Sequence, residues 1–170
     1  MDSINYIENF IDKPQELFDY LSETVNWDER MSARKTASYG KAYNYSQMAY
    51  SYQDFLPGLQ TIINQLKPVI GFEANNCLIN YYTDGSSKMG YHSDQTDILE
   101  PGTGIAIVSV GATRTLKFRN INDPELFFTY ELTAGSLVYM SQEIQALWQH
   151  AIPKAKTEQG RMSLTFRKMI

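Results

Sequence analysis

Arg161-Met162-Ser163-Leu164-Thr165-Phe166-Arg167, close to the carboxyl end of the 170-residue chain, alternates strictly between polar and apolar side chains. In an extended backbone successive side chains point to opposite faces, so Arg161, Ser163, Thr165 and Arg167 share one face while Met162, Leu164 and Phe166 share the other. The segment is predicted as a strand with one core face and one polar, doubly cationic face. Two readings of the cationic face stand open: solvated strand ends, or the lining of a pocket.

Upstream of this strand the same grammar repeats. Short β-prone runs cover residues 77–82, 105–110, 115–119, 127–132, 137–140 and 148–152, punctuated by Asp84-Gly85, Gly102, Gly111, residues 120–124, Gly135 and Gly160. That many short strands predicts a sandwich or barrel. Before residue 77 the pattern is helical. Asp12 is placed to cap a helix with Pro14 in its first turn and Leu17, Phe18, Leu21 and Val25 along one side. A second helix carries Leu56, Leu59, Ile63, Leu66 and Ile70 at three- and four-residue steps, with Pro57 tolerable near its start. The organisation expected is helical first, then β.

The chain has two histidines, His92 in Tyr91-His92-Ser93-Asp94 and His150 in Trp148-Gln149-His150. Asp94 falls on the same face as His92 if that segment is extended. Two imidazoles and a carboxylate suit a facial Fe(II) site with open positions opposite, and they also suit three-ligand zinc sites. The arginine strand favours iron. Arg161 and Arg167 lie ~20 Å apart along a strand, and long side chains leaning toward each other narrow the gap to a small dicarboxylate, which guanidinium forks hold through bidentate, charge-assisted bonds. A dicarboxylate beside a facial metal suggests 2-oxoglutarate. Trp148 is read as a pocket wall or, equally, as core packing.

The runs Asn80-Tyr81-Tyr82-Thr83-Asp84-Gly85, Met89-Gly90-Tyr91-His92-Ser93-Asp94, Val108-Ser109-Val110-Gly111-Ala112-Thr113-Arg114, Gly135-Ser136-Leu137-Val138-Tyr139-Met140 and Trp148-Gln149-His150, followed by the 161–167 strand, together resemble the AlkB family of Fe(II)/2-oxoglutarate dioxygenases. The resemblance implies a mainly β fold with amino-terminal helices, a double-stranded β-helix or jelly roll, whose closed double sheet lets distant ligands meet. It implies one domain over residues 1–170, with helices and a nucleotide-recognition lid in 1–75 and the catalytic core in 76–170. His92, Asp94 and His150 match the iron ligands. Arg161 matches the arginine on the distal carboxylate of 2-oxoglutarate and Arg167 the one nearer its keto-acid end, while Asn80 and Tyr82 match cosubstrate contacts. Ser163 stands where many members carry asparagine and keeps a hydrogen-bonding group. The implied cofactors are Fe(II), 2-oxoglutarate and O2.

The stretch Arg34-Lys35-Thr36-Ala37-Ser38-Tyr39-Gly40, with Tyr43 and Tyr45-Ser46 after it, resembles the lid of these demethylases. Arg34 and Lys35 are candidates for phosphate, and Tyr39, Tyr43 and Tyr45 for stacking on an unpaired base. Past the His-x-Asp motif the repair members carry an acidic residue that approaches the target base. Here Thr96 holds that position and Asp97 is displaced by one.

Composition constrains the partner more than the chemistry. A net charge of −4 is unlike the basic footprint of a protein that embraces a long duplex, and favours a local basic patch, a short single strand or a non-nucleic substrate. The lone cysteine, Cys77, excludes an intramolecular disulfide and fits strand filling in a reducing compartment. No apolar run approaches membrane-spanning length and the first residues lack signal-peptide character, so a cytoplasmic monomer without a membrane partner is expected. The functions in view are oxidative N-demethylation of alkylated bases in single-stranded DNA or RNA, 2-oxoglutarate-dependent hydroxylation of a small molecule or protein side chain, and a non-catalytic binding module on the same fold.

Overall fold

The structure, a computed structural model, describes residues 3–45 and 48–170, the side chain of Tyr45 excepted. Numbered along the chain, its elements are β1 (Ile4–Ile7), α1 (Pro14–Thr24), β2 (Lys35–Gly40), β3 (Tyr43–Tyr45), β4 (Met48–Tyr50), α2 (Pro57–Ile70), β5 (Asn76–Tyr82), β6 (Met89–His92), β7 (Ile105–Gly111), β8 (Arg114–Asn120), β9 (Phe127–Leu132), β10 (Leu137–Met140), α3 (Ile144–Leu147), β11 (Trp148–Ile152) and β12 (Arg161–Arg167). A six-stranded antiparallel sheet runs β1-β10-β7-β12-β5-β2, a four-stranded one runs β6-β11-β8-β9, and β3-β4 form a small ribbon. This is the jelly roll expected, with β12 paired to β5 on one side and β7 on the other.

Alternation along the strands builds two cores. Met162, Leu164 and Phe166 of β12, with Cys77, Ile79, Ala106, Val108 and Val110 beside them, pack against Leu21 of α1 and Leu59, Ile62, Ile63, Leu66 and Ile70 of α2. The opposite face of the large sheet meets the small one: Ile105, Ile107, Val138 and Met140 pack on Leu116, Phe118, Leu132 and Ile152. Trp148, partly buried, packs against this second core and meets Phe128 edgewise at 4.8 Å; it does not line the cavity that holds His92 and His150. Cys77 is fully buried and burial pushes its thiol pKa up, consistent with strand filling.

The helices follow their apolar stripes. Pro57 opens α2, where a missing N–H is harmless, and Gly71 closes it with φ 85, its N–H donating to the Lys67 carbonyl at 2.9 Å. Asp12 does not cap α1. Lys13 occupies that position in a left-handed conformation with no side-chain cap, so Asp12 stands one residue too early.

The amino-terminal part is also less helical than its sequence suggests. β1 precedes α1, and β2 lies between the helices; both form edges of the large sheet. β1 is four residues long, and β2 mixes lysine, serine, threonine and glycine, so neither carries a clear two-residue hydrophobic rhythm. Strands β5, β7 and β8 reach one residue beyond the expected bounds at one or both ends. Among the described residues no helix is long and apolar enough to cross a membrane.

Phe166 is wholly buried where β12 meets the helices. Phe166→Ala is expected to destabilise the fold by about 3–5 kcal/mol through lost burial and a residual cavity. Urea unfolding checks this, and a loss below about 1 kcal/mol would contradict the central place given to β12.

Candidate metal and cosubstrate site

The polar face of β12 turns inward. Arg161, Ser163, Thr165 and Arg167 line one cavity between the sheets together with Asn80 and Tyr82 of β5. Register sets Asn80 beside Ser163 and Ser163 beside Ser109 of β7, a polar row across an otherwise apolar sheet. From the facing sheet His92, Asp94 and His150 line the same cavity.

His92 and His150 are direct partners across β6 and β11. Met89 also points into the cavity although it lies three residues before His92, which strict alternation forbids. The pairing shifts register between His150 and Ile152, where Ile152 pairs with Met89. This bulge lets one strand present both residues to the same side. Asp94 lies just past the end of β6. Its backbone N–H donates to Oε1 of buried Gln145 at 2.7 Å, and the preceding Ser93 hydroxyl donates to the Trp148 carbonyl at 3.0 Å. Ligand atoms of His92, Asp94 and His150 all fall within 4.8 Å of one another.

The electrostatics suit a cation. His92 Nδ1–H donates to the Gly90 carbonyl at 2.9 Å, which leaves Nε2, 3.3 Å from Asp94 Oδ1, as the ligating nitrogen. His150 Nε2 lies 3.7 Å from Asp94 Oδ2. Burial disfavours ionised Asp94, but the His92 hydrogen bond and the charges of His150, Arg167 and His92 outweigh it and hold the carboxyl well below its usual range. Burial likewise disfavours protonated His92, yet Asp94 and the Gly90 carbonyl together raise its pKa above the ordinary value. Burial lowers the pKa of His150 to about 4, so its ring is neutral and ready to bind metal. Two imidazoles and a carboxylate converging from one side fit Fe(II).

The arginines fit a dianion. Arg161 is fully buried and its Nη2 donates to Ser109 Oγ at 2.9 Å, while its Nε and Nη1 have no partner. Burial lowers its pKa to about 10. Arg167 Nη2 lies 4.0 Å from Asp94 Oδ1, beside the ligand cluster, and its Nε and Nη1 are also buried without partners. Arg161 forms no ion pair among the described residues. Buried guanidinium donors left unpaired within one cavity are what a dicarboxylate such as 2-oxoglutarate would satisfy.

The expected base-binding residues are placed differently. Tyr39 is on the helix-facing side of β2 and belongs to the main core, so it offers no face to a base. Even spacing along β2 sends Ala37 and Tyr39 inward to the helices together. Tyr43 is buried too, with the Arg167 guanidinium carbon 5.0 Å from its ring centroid; it backs Arg167. Arg34 donates to Asn80 Oδ1 at 3.0 Å and to the Lys88 carbonyl at 3.3 Å, turning toward the cavity rather than outward to phosphate. Lys35 pairs with Glu29 at 3.0 Å. Thr96 is half-buried and Asp97 exposed, and neither lines the cavity. The Tyr45 side chain and Ser46 lie outside the described residues.

Three contributors have no signature in sequence. Ser109 reaches Arg161 only because two strands pair in that register, and Gln145 reaches Asp94 from a single helical turn. The bulge at β6 is marked by Gly90 alone.

A jelly roll holding a His-Asp-His cluster beside two buried arginines defines an oxygenase of the iron and 2-oxo-acid type. The profile of the 2OG-Fe(II) oxygenase superfamily matches residues 6–167, and the chain belongs to that family, whose metal and cosubstrates are Fe(II), 2-oxoglutarate and O2. Within it the chain is AlkB-like. It is 35% identical over 148 residues to the DNA oxidative demethylase ALKBH2 of Homo sapiens, covering 81% of this chain and 57% of that protein. It is 33% identical over 171 residues to the alpha-ketoglutarate-dependent dioxygenase alkB homolog 3 of Rattus norvegicus, covering 89% and 58%. The chain thus spans little more than half the length of these relatives. The solved structure of OsALKBH1 superposes with a TM-score of 0.72 over 99% of both chains at 16% identity, a likeness of fold.

Metal must displace the proton that raised-pKa His92 retains, whereas His150 is already neutral. Affinity for Co(II) is therefore expected to fall about tenfold per pH unit below the His92 pKa and to level off above it. Absorption titrations across the neutral range check this; an affinity independent of pH, or uptake that survives His92→Ala and Asp94→Ala, would contradict the assignment.

Proposed function

We propose that the chain is an Fe(II)/2-oxoglutarate-dependent dioxygenase that removes N-alkyl groups oxidatively from bases in single-stranded DNA or RNA. The observation that carries the reading is the single cavity in which His92, Asp94 and His150 converge beside the unpaired donors of Arg161 and Arg167. The similarity to a DNA oxidative demethylase supports the choice of substrate class.

The residues divide the task. His92, Asp94 and His150 hold the metal from one side and leave its other positions to ligands. Arg161 anchors the far carboxylate, with Ser109 fixing its fork, and Arg167 adds charge near the metal. Asn80, Tyr82 and Ser163 supply the polar wall against which the cosubstrate lies. Bound Fe(II) with 2-oxoglutarate and O2 supplies hydroxylation of a substrate C–H bond with release of succinate and CO2. On an N-methyl group that hydroxylation ends in formaldehyde and the restored base. The apolar lining of Leu78, Ile107 and Leu116 excludes water from the reaction.

Arg34, through Asn80, joins the lid strand to the cavity. We place it at the substrate entrance. A base swung out of its stack would reach the metal past this side chain. A monomeric, cytoplasmic enzyme is the setting proposed. Hydroxylation of a small molecule or protein side chain is the competing reading, favoured by the burial of Tyr39 and Tyr43, which leaves neither ring open for base stacking.

Incubation with Fe(II) and 2-oxoglutarate is expected to yield succinate, and methylated single-stranded oligonucleotides are expected to add stoichiometric formaldehyde. Both products should be lost in Asp94→Ala, while Arg34→Ala should lower formaldehyde release by about tenfold, the scale of one charge-assisted hydrogen bond. Succinate without formaldehyde from any methylated oligonucleotide would select the competing hydroxylase; neither product would reject both.

A further inference from the structure

Arg114, the first residue of β8, is as buried as Arg161, each 1% exposed. Its Nη2 donates to the Ser87 and Pro153 carbonyls at 2.8 Å and its Nη1 to the Asp84 carbonyl at 3.3 Å. These carbonyls belong to the β5–β6 and β11–β12 connections, which are also joined directly through Gly85 N–H to Thr157 O at 2.8 Å and Ala155 N–H to Gly85 O at 2.9 Å. Neutral carbonyls hold the two terminal nitrogens, while the buried Nε has no partner, so the clamp itself does not cancel the charge. The Asp84 carboxylate is hydrogen-bonded by Ser86 and favours the charged form of Arg114 from a distance, but Arg114 forms no ion pair among the described residues.

That charge, offset only in part, adjoins the cavity. The guanidinium carbons of Arg114 and Arg161 lie 5.6 and 5.4 Å from the centroid of the same ring, that of Tyr82, which lines the site. Arg114 is, after burial, one of the influences that disfavour the charged form of Arg161. Two like charges therefore sit close together in a water-poor region, and each one strengthens the demand for an anion there. For loop closure alone a neutral donor would serve as well and would spare the repulsion.

We propose that Arg114 is a specificity-determining residue for the cosubstrate: without touching it, Arg114 adds a second positive charge at the Arg161 end of the cavity and so selects keto acids that carry a distal carboxylate. The proposal rests on reading this cavity as the 2-oxoglutarate site. Arg161 supplies direction through its free donors, and Arg114 supplies potential, which falls off slowly where water is excluded.

The test compares 2-oxoglutarate with 2-oxopentanoate, which has the same carbon chain and no distal carboxylate, by calorimetry on the Mn(II)-loaded protein. Arg114→Gln and Arg114→Lys both disturb the three-carbonyl clamp and differ in charge. Arg114→Gln is expected to weaken 2-oxoglutarate about tenfold while leaving 2-oxopentanoate within about twofold, and Arg114→Lys to restore most of the preference. Equal weakening of both keto acids in Gln and Lys variants would show a structural clamp only and overturn the proposal. Should neither variant fold, Arg161→Gln decides: a residual preference for 2-oxoglutarate over 2-oxopentanoate is expected from Arg114, and its disappearance would overturn the assignment. Failure of the wild-type protein to bind 2-oxoglutarate at all would instead reject the reading of the cavity.

Discussion

Burying a guanidinium without a carboxylate partner is among the more costly things a fold can do, because solvation is lost and little Coulomb energy returns. Arg161, Arg114 and Arg167 are each at most 4% exposed, and among the described residues only Arg167 of the three comes within 4.0 Å of a carboxylate, that of Asp94. The geometry of β12 makes this arrangement tolerable. Hydrogen-bonded on both edges, it cannot twist its cationic face out to solvent without breaking the ladders to β5 and β7. The apolar residues between the arginines pin the opposite face to the helices. Hydrophobic burial on one side thus holds charge in place on the other.

The remaining site follows from that strand. A closed double sheet brings β6 and β11 opposite β12, so the histidine pair forms across one rung and needs no loop to deliver it. Asp94, beyond the strand end, would otherwise be free to wander; Gln145 and Ser93 fix its loop from two directions. The result is a preorganised cluster in which Asp94 stabilises a proton on His92 where metal stabilises the same geometry with a larger charge. Rigid strands for the histidines and a pinned loop for the carboxylate give precision without demanding that all three ligands share one element.

Much of this was legible in residues and some was not. The alternation of Arg161 to Arg167 gave the strand, its two faces and the inward arginines together, since period-two patterning encodes both. His92 and Asp94 converge as expected, although the local bulge rather than plain alternation shares the strand between Met89 and His92. Tyr39 and Tyr43 are ambiguous in sequence because tyrosine suits a stacking platform and a buried sheet face equally, and the register of β2 and the closeness of Arg167 decide between them. Ser109, Gln145 and Arg114 act through contacts between distant segments, which no local pattern records.

The same electrostatics tie stability to cosubstrate. A dianion that enters the cavity removes the repulsion between Arg161 and Arg114, pairs the free donors of Arg161 and Arg167, and does so only in the folded state, where these groups are gathered. Anything that binds the native state alone stabilises it by mass action. The neutral row of Asn80, Ser163 and Ser109 that crosses the sheet beside them hydrogen-bonds in any protonation state, and so holds the wall's shape while its charges wait for their counter-ion. The demand for an anion is in this way built into the scaffold itself, whereas Arg34 reaches the cavity wall only through a side-chain hydrogen bond to Asn80, and its replacement would leave the strand ladders untouched.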